Sequence, residues 1–245
     1  MENSVGFLAP LEAGSTGEEA AIHLRDRRRL LYDYTVSNHT SRTMRAVLLL
    51  AFPLLAVPAP AQLSRAPASE VAVLAGGCFW GVDAVFKHVR GVVRVVSGYS
   101  GGSAATAHYG QVSTHTTGHA ESVEVTFDPT QVSYGDLLRV FFTVAHDPTE
   151  LNRQGPDEGT QYRSAIFYAT DAQRRAALGY IARLERDHVF GRPIVTEVVP
   201  LVRFYPAEEY HQNYLARHPD QPYIVYNDLP KLSQLKERLP ELYRP

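Results

Sequence analysis

An α+β fold, a two-layer sandwich with helices packed on a mixed β-sheet, is the class this sequence predicts, on three observations. Strand-type and helix-type segments alternate from Glu70 onward, with no internal repeat or low-complexity stretch. Hydrophobic residues are 44% of the 245 and charged residues 20%, the balance of a chain able to bury a core. One cysteine rules out an intramolecular disulfide framework, a zinc ribbon or a CxxC redox pair within this chain.

The elements follow in order. Residues 71–75 (VAVLA) are a short apolar run closed by Gly76-Gly77, which reads as a buried strand ending in a tight turn. Val82, Val85, Phe86 and Val89 recur at helical spacing and predict a helix over 78–90. Residues 92–97 are β-branched and strand-like, running into a glycine-rich loop at 98–102. Over 122–127, Val123, Val125 and Phe127 share one face of a strand that Asp128-Pro129 ends. Ser133-x-x-Asp136 has the form of a capping box ahead of a helix bearing Leu137, Leu138, Phe141 and Val144. A loop over 146–161 leads to a strand at 164–168, then a helix over 171–188 that stops at Gly191-Arg192-Pro193. Residues 193–201 read as a further strand, 206–218 as helical, and 229–239 as a short leucine-bearing helix.

The formal net charge of −2 offers no basic excess for nucleic acid or anionic lipid. No apolar run reaches the ~18 residues of a membrane-spanning helix, so stable membrane insertion is not expected. Met44-Arg45, the apolar run 46–57 and Ala59-x-Ala61 supply the three parts of a secretory signal. Accordingly 1–43 reads as an upstream, disordered extension, 44–61 as a signal peptide with Met44 as the start, and 62–69 as a linker. The main domain is expected over 70–226, with a helical tail over 227–245. Export to the periplasm or the exterior is expected if translation starts at Met44, and a cytoplasmic location otherwise.

Cys78 is the residue with the most chemistry. It lies after a strand and two glycines, in the first turn of a helix, where unpaired N–H groups and the helix dipole lower a thiol pKa. The competing reading is a cysteine serving as a small buried hydrophobe. Phe79 and Trp80 follow it, and two consecutive helical residues cannot both enter one core stripe, so one of them lines a pocket beside the sulfur. Glu121, at the entrance to an apolar strand, can be neutral at pH 7 and able to donate a proton; the plain alternative is a solvated surface acid. The loop 153–163 (RQGPDEGTQYR) is polar and specific in character, but spacing alone assigns it no mechanism. His108, His115 and His119 lack metal-ligand spacing, and no metal is expected.

Six blocks together resemble the peptide methionine sulfoxide reductase A family. They are Gly76 to Gly81 (GGCFWG), Tyr109 to Val112 (YGQV), Thr117 to Glu121 (TGHAE), His146 to Thr149 (HDPT), Gly159 to Ser164 (GTQYRS) and 204–215 (FYPAEEYHQNYL). The resemblance implies a ferredoxin-like plait with family-type extensions. It also implies reduction of methionine-S-sulfoxide, in proteins and as the free amino acid, a step of the methionine oxidation ladder. By the family pattern Cys78 is the nucleophile and Glu121 the proton donor. Tyr109, Asp157 and Tyr162 bind the sulfoxide oxygen, directly or through water, while Phe79 and Trp80 form the pocket for the substrate methyl group. No bound cofactor is implied. The implied reductant is an external thiol, namely thioredoxin, glutaredoxin with glutathione, or dithiothreitol in vitro, and the implied state is a monomer.

The chain departs from the family pattern twice. Asp83 stands where the family commonly has glutamate, and no second cysteine is present to act as a resolving thiol. Two other functions compete. A cysteine hydrolase would need a hydrogen bond between Cys78 and a histidine. A non-catalytic module would bind oxidised methionine without turnover.

Overall fold

In the computed structural model, which describes residues 68–245, the apolar run after Glu70 becomes the central strand β1 (Glu70–Gly76). The expected extension, signal peptide and nearly all of the linker lie outside the described residues. From β1 the chain passes through α1 (Phe79–Lys87), β2 (Val92–Ser100), the short α2 (Tyr109–Val112) and β3 (Ala120–Phe127). Helix α3 (Tyr134–Val140) continues as a π-helical turn, Phe141–Ala145. A small hairpin, β4 (Arg153–Gln154) and β5 (Asp157–Glu158), precedes β6 (Ser164–Tyr168) and α4 (Asp171–Arg186). Then come β7 (Glu197–Pro200), β8 (Phe204–Pro206), α5 (Tyr214–Arg217), a π-helical turn over Ile224–Asp228, and α6 (Leu229–Arg238).

The large sheet has the order β7-β6-β1-β3-β2-β8. Every neighbouring pair is antiparallel except β6–β7, so the sheet is mixed. Its inner four strands, β6-β1-β3-β2, with α1 after β1 and α3 after β3, are the split βαββαβ arrangement of a ferredoxin-like plait. Because β1 is covered on both faces, it is apolar throughout rather than alternating. Ala72 and Leu74 enter the main core beneath α1, α3 and α6, while Val73 and Ala75 join a smaller cluster with Ala120, Ala165 and Phe167. The capping box forms as its spacing predicts: Asp136 N–H donates to Ser133 Oγ at 3.1 Å, and Ser133 N–H donates to Asp136 Oδ2 at 3.0 Å.

The structure differs from the sequence expectation where an element depends on a distant partner. Strand β2 runs through the expected loop to Ser100, because Gly98 to Ser100 pair with β3 on one side and with β8 on the other. Strand β8 itself was not expected, and the strand over 193–201 shortens to Glu197–Pro200. Residues 206–218 hold only short helical turns. The segment set apart as a tail packs Leu235 and Leu239 into the main core, and Arg90 N–H donates to Leu242 O at 2.7 Å. Among the described residues no helix is long and apolar enough to cross a membrane.

Candidate active site

The site is built around the first turn of α1. Strand β1 delivers the chain to Gly77, whose φ of +93° favours glycine, and a Cβ there would fall 2.5 Å from Gln154 Cγ. Cys78 therefore enters as the N-cap of α1, one position earlier than the sequence places it, and is 8% exposed. Glu121 reaches the same turn from β3: Phe79 N–H donates to Glu121 Oε2 at 3.0 Å. At 3% exposure, burial pushes the Glu121 carboxyl up to about 8, against the Phe79 hydrogen bond and with the Asp157 charge adding to it. At neutral pH Glu121 holds a proton.

The expected lowering of the Cys78 pKa is not found. Burial raises this thiol well above its ordinary value, and Glu121, Asp228 and Asp157 add to the rise. The helix terminus does act in the expected direction through the Trp80 N–H, but burial, Glu121 and Asp228 each outweigh it. The neighbouring Phe79 N–H already serves Glu121. Cys78 is thus a buried, protonated thiol rather than an exposed thiolate.

The aromatic pair divides as helical geometry requires. Phe79 is 1% exposed and packs between Tyr99 and His211, at ring-centroid distances of 5.8 and 5.0 Å. Trp80 is half-buried, stacked on Tyr214 at 3.6 Å and set edge-on to Tyr223 at 6.0 Å. Asp157, on β5, shares a cavity with Cys78 and accepts a hydrogen bond from the Tyr223 hydroxyl. The Tyr109 and Tyr162 hydroxyls are both held above their ordinary values, by burial first and then by the charges of the site, Glu121 and Cys78 among them. All seven candidate residues therefore gather around the start of α1.

Sequence reasoning missed several neighbours. Glu208 accepts from the Tyr99 hydroxyl and from Tyr109 N–H, both at 2.9 Å, and so fixes the start of α2. His211 Nδ1 accepts from Trp80 Nε1–H at 3.2 Å. Both lie in the 204–215 block, whose family pattern was the available signal. Tyr223, Asn227 and Lys231, which wall the cavity, had none. Asp83 faces elsewhere, committed to Lys87 Nζ at 2.6 Å, and burial raises it to about 6.

Two buried histidines near the site, His119 and His146, are held by hydrogen bonds through both ring nitrogens. His119 Nδ1 accepts from Gly102 N–H at 3.2 Å, while its Nε2–H donates to Ser103 O at 2.9 Å. His146 bonds Phe141 O and Ser164 Oγ, and burial lowers it to about 4. Among the described residues no histidine hydrogen-bonds Cys78, the pairing a cysteine hydrolase would need. Nor do the described residues hold a group of three His, Cys, Asp or Glu side chains fit for a metal ion.

The profile of a family described as peptide methionine sulfoxide reductase matches residues 70–242. A peptide methionine sulfoxide reductase MsrA 2 of Mesorhizobium japonicum is 57% identical over 178 residues, covering 73% of this chain and 91% of the relative. One from Synechocystis, also an MsrA 2, is 54% identical over 175 residues, with 71% and 82% covered. Among solved structures, methionine sulfoxide reductase A of Corynebacterium diphtheriae superposes with a TM-score of 0.55 at 37% identity, covering 63% of this chain and 77% of that one. Reduced Mxr1 of Saccharomyces cerevisiae does so with a TM-score of 0.57 at 33% identity, covering 62% and 87%.

Proposed function

The chain belongs to the peptide methionine sulfoxide reductase family and reduces methionine sulfoxide, and from that premise we propose how its own residues do so. Cys78 is the nucleophile and Glu121 the acid, acting on methionine-S-sulfoxide in proteins and as the free amino acid. The observation that carries this reading is the buried Glu121 carboxyl, raised to about 8 and fixed by the Phe79 N–H beside the sulfur.

A sulfoxide oxygen leaves sulfur poorly until it is protonated. Glu121 gives it a proton, and the sulfoxide sulfur becomes open to attack. The resulting carboxylate then takes the Cys78 proton, so the thiol is deprotonated only when substrate is in place. The oxygen passes to Cys78, leaving one thioether and one sulfenic acid, with Glu121 protonated again. Tyr109, Asp157 and Tyr162 orient the oxygen, and Phe79 with Trp80 receives the methyl group. The sulfenic acid is recycled by an external thiol, in the cell thioredoxin or glutaredoxin with glutathione, because this chain has no second cysteine.

Intact mass spectrometry after a single turnover tests the scheme. Without added thiol, one equivalent of methionine is expected per enzyme, and the reaction then stops. The protein should be about one oxygen heavier and should react with a dimedone-type trap. A product that refuses the trap, or remains a thiol while methionine forms, shows that the oxygen does not reach Cys78. Binding of the sulfoxide with no methionine formed would instead favour the non-catalytic module.

We also propose export, supported by the three-part signal at 44–61. Expressed from Met44 in a secretion-competent bacterium, the protein should begin at Gln62 and lie outside the cytoplasm. N-terminal sequencing that finds residues 1–43 on a cytosolic product rejects this.

A further inference from the structure

The cavity that opens onto Cys78 has one cation in its lining, Lys231. An ammonium carries three donors, and among the described residues Lys231 has one hydrogen-bond partner, Asp228 Oδ1 at 3.2 Å. Asp228 is 0% exposed, and its Oδ2 has no partner among the described residues. Position 81 holds this pair close to the sulfur. A Cβ on Gly81 would collide with Asp228 Oδ1 and lie 2.7 Å from Lys231 Nζ, so the pair rests directly on the first turn of α1. Asp157 lines the same cavity and is the second acid facing this ammonium, so Lys231 stands between two carboxylates with donors to spare toward the cavity. The sulfoxide step described above uses neither residue.

We propose that Lys231 receives the reductant: its ammonium binds an incoming thiol as the thiolate and presents it to the sulfenic sulfur of Cys78. The proposal rests on the sulfenic acid formed in the preceding scheme. In the step, the thiolate sulfur bonds to Cys78 Sγ and the Cys78 S–O bond breaks. The leaving oxygen takes the proton that the thiol gave up and departs as water. A second thiol then releases Cys78 from the mixed disulfide and is itself oxidised to a disulfide. A single-cysteine chain needs such a site because it has no internal thiol held in position.

The size of the effect follows from charge. An opposite charge within ~4–6 Å lowers an acid's pKa by about 1–3 units. A two-unit depression raises the thiolate population about 100-fold near neutral pH. Intrinsic nucleophilicity falls with pKa at a Brønsted slope of about 0.4–0.5, leaving a net gain of about tenfold.

The test uses the full chain, converted to the sulfenic acid with one equivalent of methionine sulfoxide and then mixed with 2-mercaptoethanol, whose only charge is its thiolate. The mixed disulfide is followed by quenched intact mass between about pH 6 and 10, a range that spans ordinary thiol titration. Lys231→Met should form it about tenfold more slowly near pH 7 and converge on the wild type above the thiol's own pKa, where solution supplies the thiolate. Lys231→Arg, which keeps the charge, should stay near the wild-type rate. If Lys231→Met does not fold, Lys231→Gln takes its place. Equal rates near pH 7 overturn the proposal, and so does an equal slowing at every pH, which marks a structural role. A wild-type protein that releases methionine yet carries no sulfenic acid overturns the underlying scheme, and that result is read before any thiol is added.

Discussion

Cys78→Ser should be a folded protein with no detectable reduction of the sulfoxide. A hydroxyl is too weak a nucleophile at neutral pH without an activating base, and it cannot accept the oxygen as a sulfenic acid does. The fold should survive for a definite reason. Cys78 is the N-cap of α1 and makes no side-chain cap bond, whereas serine is among the preferred N-cap residues. Its oxygen can accept from the helix's first turn, so thermal unfolding should occur at the same temperature or higher. Loss of activity with an unchanged or raised Tm is the expected pair of results. A serine variant that keeps substantial activity would overturn the whole reading of the site.

Glu121→Gln is the second large effect. Glutamine keeps the shape of the side chain and can still accept the Phe79 N–H, so what it removes is the proton. Methionine release in a single turnover should slow by roughly 10²–10⁴-fold, the range typical of lost acid catalysis. The pH profile adds a signed test. Burial raises the Glu121 carboxyl from its ordinary value to about 8, so the acid form is present through neutral pH and lost as pH rises through about 8. The wild-type rate should therefore fall on the alkaline side, and the glutamine variant should lack that limb. The Cys78 thiol is held well above its ordinary value and brings no competing rise there. Rapid-quench measurement of methionine release across that range decides it, and unchanged kinetics in the variant would move the acid role to another group.

How much of this was legible in the sequence depends on the distance between the interacting parts. The capping box of α3 and strand β6 appear as the sequence predicts, because spacing and β-branched content are local properties. Strand β8 and the last residues of β2 were not legible, since β8 is a strand only by pairing with β2, and the end of β2 only by pairing with β3 and β8. The site followed the same rule. The family-like blocks held six of its seven candidate residues, all but Asp157, and the structure brings the seven to one helix terminus. The protonation state of Cys78 was misjudged because burial raises the thiol, and Glu121, 42 residues along the chain, adds to the rise and takes a donor of that terminus. The hold of His211 on Trp80 spans 131 residues, and that of Tyr223 on Asp157 spans 66. A pattern read along the chain carries no trace of such pairings.

The wall of the cavity formed by Tyr223, Asn227 and Lys231, with Leu235 of α6 and the following Leu239 packed into the core behind it, is made well after Cys78. Cys78 precedes Lys231 by about 150 residues, and synthesis at about 5–20 residues per second separates them by roughly eight to thirty seconds. For that interval the growing chain carries its only thiol without the burial and the Asp228 charge that later hold its proton in place. The nascent sulfur is therefore more acidic than the finished one and more open to stray oxidants. Ribosome-bound chains halted before residue 223 should be alkylated faster than the folded protein, so the fold silences its own reactive atom only once residues 223–231 have joined it.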